Sequence, residues 1–327
     1  MASDFKLVAM EYGKGGDSFV LKPGTEHEEI VCLVGSLEEM RKELEERMER
    51  SLRWRVRRHR CFFGLELFDP SDRSADSYSL FPGPLTPAAA FEDRLREIIH
   101  VPGLRGNPTR SYQTTAVGKM FPGTFESYVA SIVSHWQEND RDRLKELGKS
   151  LGSLGLTWKV QAEEIDATQV ELKVGRLPHA QQGGALDLVN IADVGFGVSQ
   201  TLPVLVALLT AERGRLVYLE QPEIHLHPRA QVALASLIAN AAKRGVRVVA
   251  ETHSSLLLVA IQSLVAEGSL PPKDVILHWF RRNDDGVTRL TTAELDEKGA
   301  YGDWPEDFGE VTLDTEDRYL DAVGAFP

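Results

Sequence analysis

The stretch Leu216-Val-Tyr-Leu-Glu-Gln-Pro-Glu-Ile-His-Leu-His-Pro228 constrains this chain more than any other. An unbroken apolar run closed by a turn signal reads as a strand buried on both faces, the kind found in parallel sheets covered by helices. Glu220 stands at the carboxyl end of that strand. In such sheets the carboxyl ends face the ligand crevice, so a carboxylate there is placed to hold Mg²⁺ directly or through water. The alternative is a helix-capping or salt-bridged acid.

Two further segments flank it in a fixed order. Upstream lies Gly195-Phe-Gly-Val-Ser-Gln200, and downstream Val248-Val-Ala-Glu-Thr-His-Ser-Ser255, a second apolar strand running into a polar cluster with His253. Gly195 and Gly197 let backbone approach a ligand closely, and Ser199 is expected to open a helix whose positive N-terminal end attracts phosphate. Gly-x-Gly before a helix is common, and its spacing to the acidic strand is what gives it weight. From residue 185 the rhythm is that of an α/β sheet. Strands are expected at Leu186 to Ile191, Leu216 to Leu219, Val246 to Ala250 and Val275 to Arg281, with helices at Val198 to Ala211, Arg229 to Lys243 and Ser255 to Ala266. Continuous apolar strands between helices predict a sheet covered on both faces.

These three segments together resemble the ABC-type, SMC-like ATPases of the AAA family, over about residues 185 to 260. The resemblance implies an α/β, ABC-ATPase-like sheet flanked by helices, with additional N-terminal strands and a helical insertion. It implies ATP and Mg²⁺ as ligands, with Gly195, Gly197, Ser199 and Gln200 in the signature loop that closes over ATP held by the opposite subunit. Glu220 matches the Walker B carboxylate, Gln221 stands where the catalytic glutamate is usual, and His253 matches the switch histidine at the γ-phosphate. Glu223 to Pro228 looks like the D-loop. The segment Gly302-Asp-Trp-Pro-Glu-Asp-Phe more loosely resembles a small C-terminal domain of unknown function found in some of these ATPases.

One part of the family pattern is missing. A Walker A loop, Gly-x-x-x-x-Gly-Lys-Ser/Thr, wraps phosphates in successive backbone N–H groups and brings a lysine to the β and γ oxygens. No segment fits. Gly148-Lys149-Ser150 has Arg143 where the first glycine belongs and reads as a charged helix, and Lys14 lies in Tyr12-Gly-Lys-Gly-Gly-Asp17, a hairpin turn. Gln221 is a second departure: a carboxamide orients water but cannot take its proton as a general base. Hydrolysis then relies on Glu223 or is slow. His225 and His227 project to one side as His-x-His, yet no third ligand accompanies them.

The 327 residues, 42% hydrophobic and 26% charged, allow one large or two modest domains. Four regions are expected: strands and a helix in 1–123, a helical arm and hairpin in 124–184, the ATPase-like lobe in 185–292, and a small extension in 293–327. No apolar run reaches the ~20 residues of a membrane span, and the polar start lacks the features of a signal peptide, which predicts a cytoplasmic protein. Cys32 and Cys61 have no Cys-x-x-Cys spacing, so neither a disulfide framework nor a zinc site is indicated.

A net charge of −12 opposes broad attraction to nucleic acid. Locally, Arg50 to Arg60 packs six arginines around Trp54. Arg53, Arg55, Arg57, Arg58 and Arg60 with that aromatic could contact phosphate and stack on a base. The alternative is a solvated helix whose arginines pair with nearby glutamates at three- and four-residue spacing. Before it, Phe5 to Glu11, Ser18 to Lys22 and Ile30 to Val34 read as strands, and Ser36 with Glu39 forms a capping box opening a helix to about Arg50 or Val56. Cys61 to Phe68 is a further strand. Asp69 to Pro87 reads as a loop, and Ala88 to Ile98 as a helix. Ile98 to Leu104 is a strand entering the loop Arg105-Gly-Asn-Pro-Thr-Arg110, either a phosphate contact or a plain exit. Thr124 to Leu151 is expected as one long helix, and Leu156 to Val160 with Gln169 to Val174 as a hairpin.

Two functions follow from these expectations. One is an ATPase-family polypeptide whose composite site is completed by a Walker A-bearing partner chain or a head-to-tail homodimer. The other is a non-catalytic regulatory or scaffolding module that keeps the fold and binds a protein effector or nucleic acid.

Overall fold

The computed structural model describes residues 8–14, 17–34, 36–59, 62–71, 94–177, 187–302 and 310–324. The chain divides into two compact units, 1–96 and 97–327. Among the described residues no helix is long and apolar enough to cross a membrane. The Asp69 to Pro87 loop, the Ala88 to Ile98 helix and the motif after Gly302 fall largely outside the described residues.

In the first unit, β1 (Met10–Lys14) pairs antiparallel with β2 (Asp17–Leu21), so Lys14 closes a hairpin. Ile30 to Val34, expected as a strand, lies in helix α1 (His27–Val34). Its apolar run is too short for periodicity to separate strand from helix, while Glu28 and Glu29 in the first turn suit a helix dipole. Helix α2 (Ser36–Met48) begins at Ser36 as expected but stops before the arginine run. That run is strand β3 (Arg53–His59), paired antiparallel with β4 (Phe62–Phe68). Alternation turns Trp54 inward with Leu65 and Leu67, and leaves Arg55 and Arg57 to share Glu66 on the opposite strand. The arginines therefore find their glutamate across a hairpin, not along a helix. Leu21, Ile30, Leu52, Trp54, Phe63, Leu65 and Leu67 form this unit's core.

The second unit is built around a parallel sheet in the order β11 (Arg247–Glu251), β10 (Leu216–Glu220), β5 (Ile99–Val101). Val217, Leu219, Ile99 and Val101 point into the main core and are fully buried. Helices α5 (Phe196–Thr210) and α6 (Pro228–Lys243) pack with this core, α6 followed by α7 (Ser255–Ala266). Among the described residues the opposite face is not covered as the apolar strands suggested. His100, Arg247, Val249 and Glu251 on it are exposed, and Tyr218 and Glu220 only half-buried. The strand expected at Val275 to Arg281 is β12 (Ile276–Arg282), which pairs with β13 (Thr288–Glu294) and not with the parallel sheet.

A second sheet holds β6 (Tyr112–Gln113), β7 (Val160–Asp166), β8 (Gln169–Gly175) and β9 (Leu188–Asn190). The expected single helix is two, α3 (Glu126–Asn139) and α4 (Arg141–Ser153). Asp140 between them leaves the helical region and its carboxylate accepts the Arg143 N–H. Asp is a poor helix interior and a good cap, which is why a continuous apolar face did not imply a continuous helix. Gly148-Lys149-Ser150 lies inside α4, where Gly148 packs against the Trp158 carbonyl. Helix α8 (Glu310–Gly324) ends the described chain. Asp140→Ala is expected to lower stability by about 1 kcal/mol, the usual loss on removing an N-cap, read as a shift in the denaturant midpoint at constant slope.

Candidate functional site

Strand β10 ends where the sequence places its carboxylate. Glu220 Oε2 accepts the backbone N–H of Gly103 at 2.9 Å, and Oε1 lies 2.8 Å from His100 Nε2. The Gly103 hydrogen bond first, then His100, holds the Glu220 carboxyl below the usual range, so the group stays ionised. His100 also stacks on Tyr218 with ring centroids 5.0 Å apart, and the Tyr218 hydroxyl donates to Glu251. A Cβ on Gly103 would touch the Glu220 side chain at 3.4 Å, so the loop after β5 fits closely over the acid.

Arg105 on that loop is the best-buried cation of the site, with 8% of its surface exposed. Among the described residues it forms no ion pair. Its guanidinium donates to the carbonyls of Pro102, Glu220 and Gln221, and burial lowers its pKa. The fork of donors therefore clamps the end of β10 by its backbone. Gln221 sits there with φ +43°, a left-handed conformation that costs a non-glycine residue energy unless the surroundings impose it. The Arg105 clamp, with Gln221 N–H donating to the Glu251 carbonyl, is what imposes it. Burial also raises the pKa of Glu126, which accepts from the Gly106 N–H.

Glu223 has a role that sequence spacing alone did not reveal. It is buried, and Oε1 accepts both the Thr252 hydroxyl at 2.7 Å and the His253 N–H at 3.1 Å. Its Oε2 is buried with no hydrogen-bond partner among the described residues. Glu223 thus ties the turn after β10 to the turn after β11. Ser254 caps α7 and donates to Gln231 Oε1 on α6, which fixes the far side of the same turn. The His253 side chain remains exposed.

The glycine segment differs in detail from expectation. Helix α5 begins at Phe196 with Gly195 as its N-cap, so Ser199 lies one turn inside, not at the start. Its hydroxyl donates back to the Phe196 carbonyl. Gly195 has open space around it, whereas a Cβ on Gly197 would come within 3.1 Å of Leu156 and 3.5 Å of the His225 carbonyl. Gly197 is needed for packing. Gln200 is buried and donates to the Gly106 carbonyl, joining this helix to the loop that covers Glu220. No hydrogen bond or ion pair joins Ser199 to Glu220 or His253 among the described residues.

His225 and His227 have structural work. His225 takes φ +65° and lies against the Phe196 ring, and His227 caps α6 by accepting the Arg229 N–H. Among the described residues no group of three or more His, Cys, Asp and Glu could hold a metal alone. In the first unit, Trp54 is buried, and Arg60 lies outside the described residues. His100 and Gly103 were not singled out from sequence. The only signal was an apolar strand running into Gly-Leu-Arg-Gly-Asn-Pro, which reads equally as a plain exit.

Residues 40–260 match a family model described as "AAA domain, putative AbiEii toxin, Type IV TA system", well over half the chain. The chain belongs to this AAA-domain family. Solved structures similar to the AAA-domain chain include an SMC head bound to the C-terminal winged-helix domain of ScpA, with 10% identity and TM-score 0.37. That match covers 53% of this chain and 50% of the SMC chain. A second, from a study of ATP-driven dimerization and DNA-stimulated activation of SMC ATPases, has 12% identity and TM-score 0.36, covering 54% of this chain and 92% of that one. A third, the Pyrococcus furiosus Smc head with an extended coiled coil bound to ScpA, has 12% identity and TM-score 0.33, covering 56% and 38%. The AAA-domain chain thus spans half the length of the first and less of the third. No curated protein matches it.

Glu223→Ala is expected to release the turn at Thr252 and His253. Stability should fall by about 2 kcal/mol, and hydrogen exchange at the His253 amide should rise by at least an order of magnitude, as for a lost buried hydrogen-bond acceptor.

Proposed function

We propose that this AAA-domain chain contributes the signature, Walker B and switch elements of a composite ATP site, and that a second chain carrying a phosphate-cradling loop completes it. The observation that carries the reading is Glu220, held ionised at the carboxyl end of β10 by Gly103 and His100. Around it Arg105 fixes the strand end and Glu223 fixes the switch turn. That is a preorganised acid in the crevice where such sheets bind ligands.

The residues fit Mg²⁺ in a particular way. Mg²⁺ is usually held by one or two carboxylates with waters and substrate phosphates, not by an all-protein cage. Each Glu220 oxygen accepts one hydrogen bond and keeps a lone pair, and no larger acidic cluster surrounds it among the described residues. Bound there, the ion would neutralise charge developing on the phosphates. The chain's own residues would do the rest. Glu220 orients the ion, Gln221 hydrogen-bonds a water without taking its proton, and His253 donates toward the terminal phosphate. Glu223 acts through its hold on Thr252 and His253. Ser199, half-buried one turn into α5 and not bonded to Glu220 among the described residues, would reach ATP on an opposing subunit, as in a head-to-tail dimer.

A second reading is favoured by Gln221. With a carboxamide in place of the usual general base and no Walker A loop in the chain, the fold serves as a regulatory or scaffolding module for a protein effector. The readings separate on titration. The chain alone should bind ATP weakly. Mixed with a Walker A-bearing chain encoded beside it, ATP affinity should rise by about a hundredfold, the worth of two charge-assisted hydrogen bonds. Glu220→Gln and Ser199→Ala should each remove that gain without lowering the melting temperature. No gain on mixing, together with cellular function indifferent to both changes, selects the module.

A further inference from the structure

Helices α4, α5 and α6 converge on a cleft of about 250 Å³. Leu205, Leu208 and Leu209 of α5 and Leu237 of α6 give it an apolar side, with Leu205 and Leu208 buried in the main core. From α4 comes Ser150, in the Gly148-Lys149-Ser150 stretch that only imitates a phosphate loop. Ser150 shares the buried side of α4 with Leu147 and Leu151, and a small side chain there leaves room that a leucine would fill. It is 8% exposed, and its hydroxyl has no hydrogen-bond partner among the described residues, while its carbonyl accepts from Ser153. A buried hydroxyl left unmatched costs free energy that a bound polar group recovers. Two cations also line the cleft. Arg244, just past α6, donates through Nη2 to the Leu208 carbonyl at 2.7 Å, and its Nη1 and Nε have no partner among the described residues. Lys149 stands beside Ser150, and Glu146 one turn earlier is the one carboxylate in the lining. The ion pairs at α4 are Arg143 with Asp140 and Lys145 with Asp142, so neither Lys149 nor Glu146 is taken up by them.

We infer that this cleft binds a small amphipathic monocarboxylate, a short aliphatic chain ending in one carboxylate. Its lining has the composition of a ligand site, mostly apolar with a few polar groups that fix orientation. The four leucines take the chain and the cations take the head. Arg244 is suited to a carboxylate because a guanidinium offers paired donors in a plane, and its tie to Leu208 holds it in place before a ligand arrives, which lowers the ordering cost. Charge selects a single anion. Lys149 and Arg244 against Glu146 leave the lining one positive charge in excess, enough for a carboxylate and not for a dianionic phosphate. Size selects a short chain, since at ~30 Å³ for each water-sized group the volume takes about eight such groups. The cleft lies along the last turns of α5, whereas Gly195 and Ser199 stand at its first. The inference therefore does not rest on the nucleotide reading, and its test uses no nucleotide.

Calorimetric titration of the full chain with octanoate should show one site with a Kd of about 0.1 to 1 mM, in keeping with the size of the ligand. Across a series of straight-chain carboxylates, affinity should peak at about six to eight carbons, where the chain fills the cleft. Octanol and octylamine, which keep the chain and lack the anion, should bind about tenfold more weakly, and octyl phosphate should not bind more tightly than octanoate. Arg244→Gln should weaken octanoate by about tenfold and abolish its advantage over octanol, a change that a packing role alone would not produce. Ser150→Leu fills the cleft without touching a cation, and should remove binding while the melting temperature stays the same or rises. If Ser150→Leu misfolds, Arg244→Gln and the head-group series decide. No saturable binding of octanoate, equal binding of octanol, tighter binding of octyl phosphate, or octanoate binding that survives both substitutions would overturn the proposal.

Discussion

A buried guanidinium that pairs with no carboxylate among the described residues organises the candidate site. Arg105 donates through Nη1 and Nη2 to the carbonyls of Pro102, Glu220 and Gln221, the last two at the point where β10 turns. An arginine is seldom buried without a charged partner, since desolvation penalises the ion, and here burial does lower its pKa. Three nearby glutamates, Glu126, Glu223 and Glu220, offset that penalty through space. The clamp in turn lets Gln221 hold a left-handed backbone and leaves the Glu220 carboxylate free to take the Gly103 N–H and His100.

The site is then a set of turns braced against each other by side chains. Gln200 ties α5 to the loop above Glu220, and Glu223 ties the turn after β10 to that after β11. Such bracing fixes the turns against one another, which lowers the ordering cost of any ligand that binds there. Two residues in these turns are already committed. Gln221 occupies the strained position, and Glu223 is committed to the Thr252 hydroxyl and His253 N–H through one oxygen. The AAA-domain family match spans this whole set of turns.

The sheet's open side belongs to the same logic. Strands β10 and β11 are apolar enough to be covered on both faces, yet Val249 and the residues around it are exposed. A parallel sheet rarely persists in that state, because it loses the burial that stabilises it.

Local chemistry was enough for much of this. The apolar run before Glu220 formed the expected strand, though one of its faces is only half-buried, Ser255 to Ala266 was readable as a helix to its ends, and β8 was marked by its alternation, while its partner β7 starts at Val160, where the expected strand Leu156 to Val160 ends. The helical turn at Ile30 and the break at Asp140 were not, because a short apolar run is ambiguous in period and a cap competes with helix continuation only once both helices have packing partners. The arginine run became a strand because Trp54 and Val56 could be buried only by alternation against β4, a partner that intrahelical spacing does not contain. Sequence by itself determined which side chains stand at strand ends, since that depends on runs of neighbours. Only the tertiary structure decided that His100, Gly103 and Arg105 meet Glu220 across more than a hundred residues, because hydrogen-bond partners are chosen by proximity in space, and strand order sets that proximity.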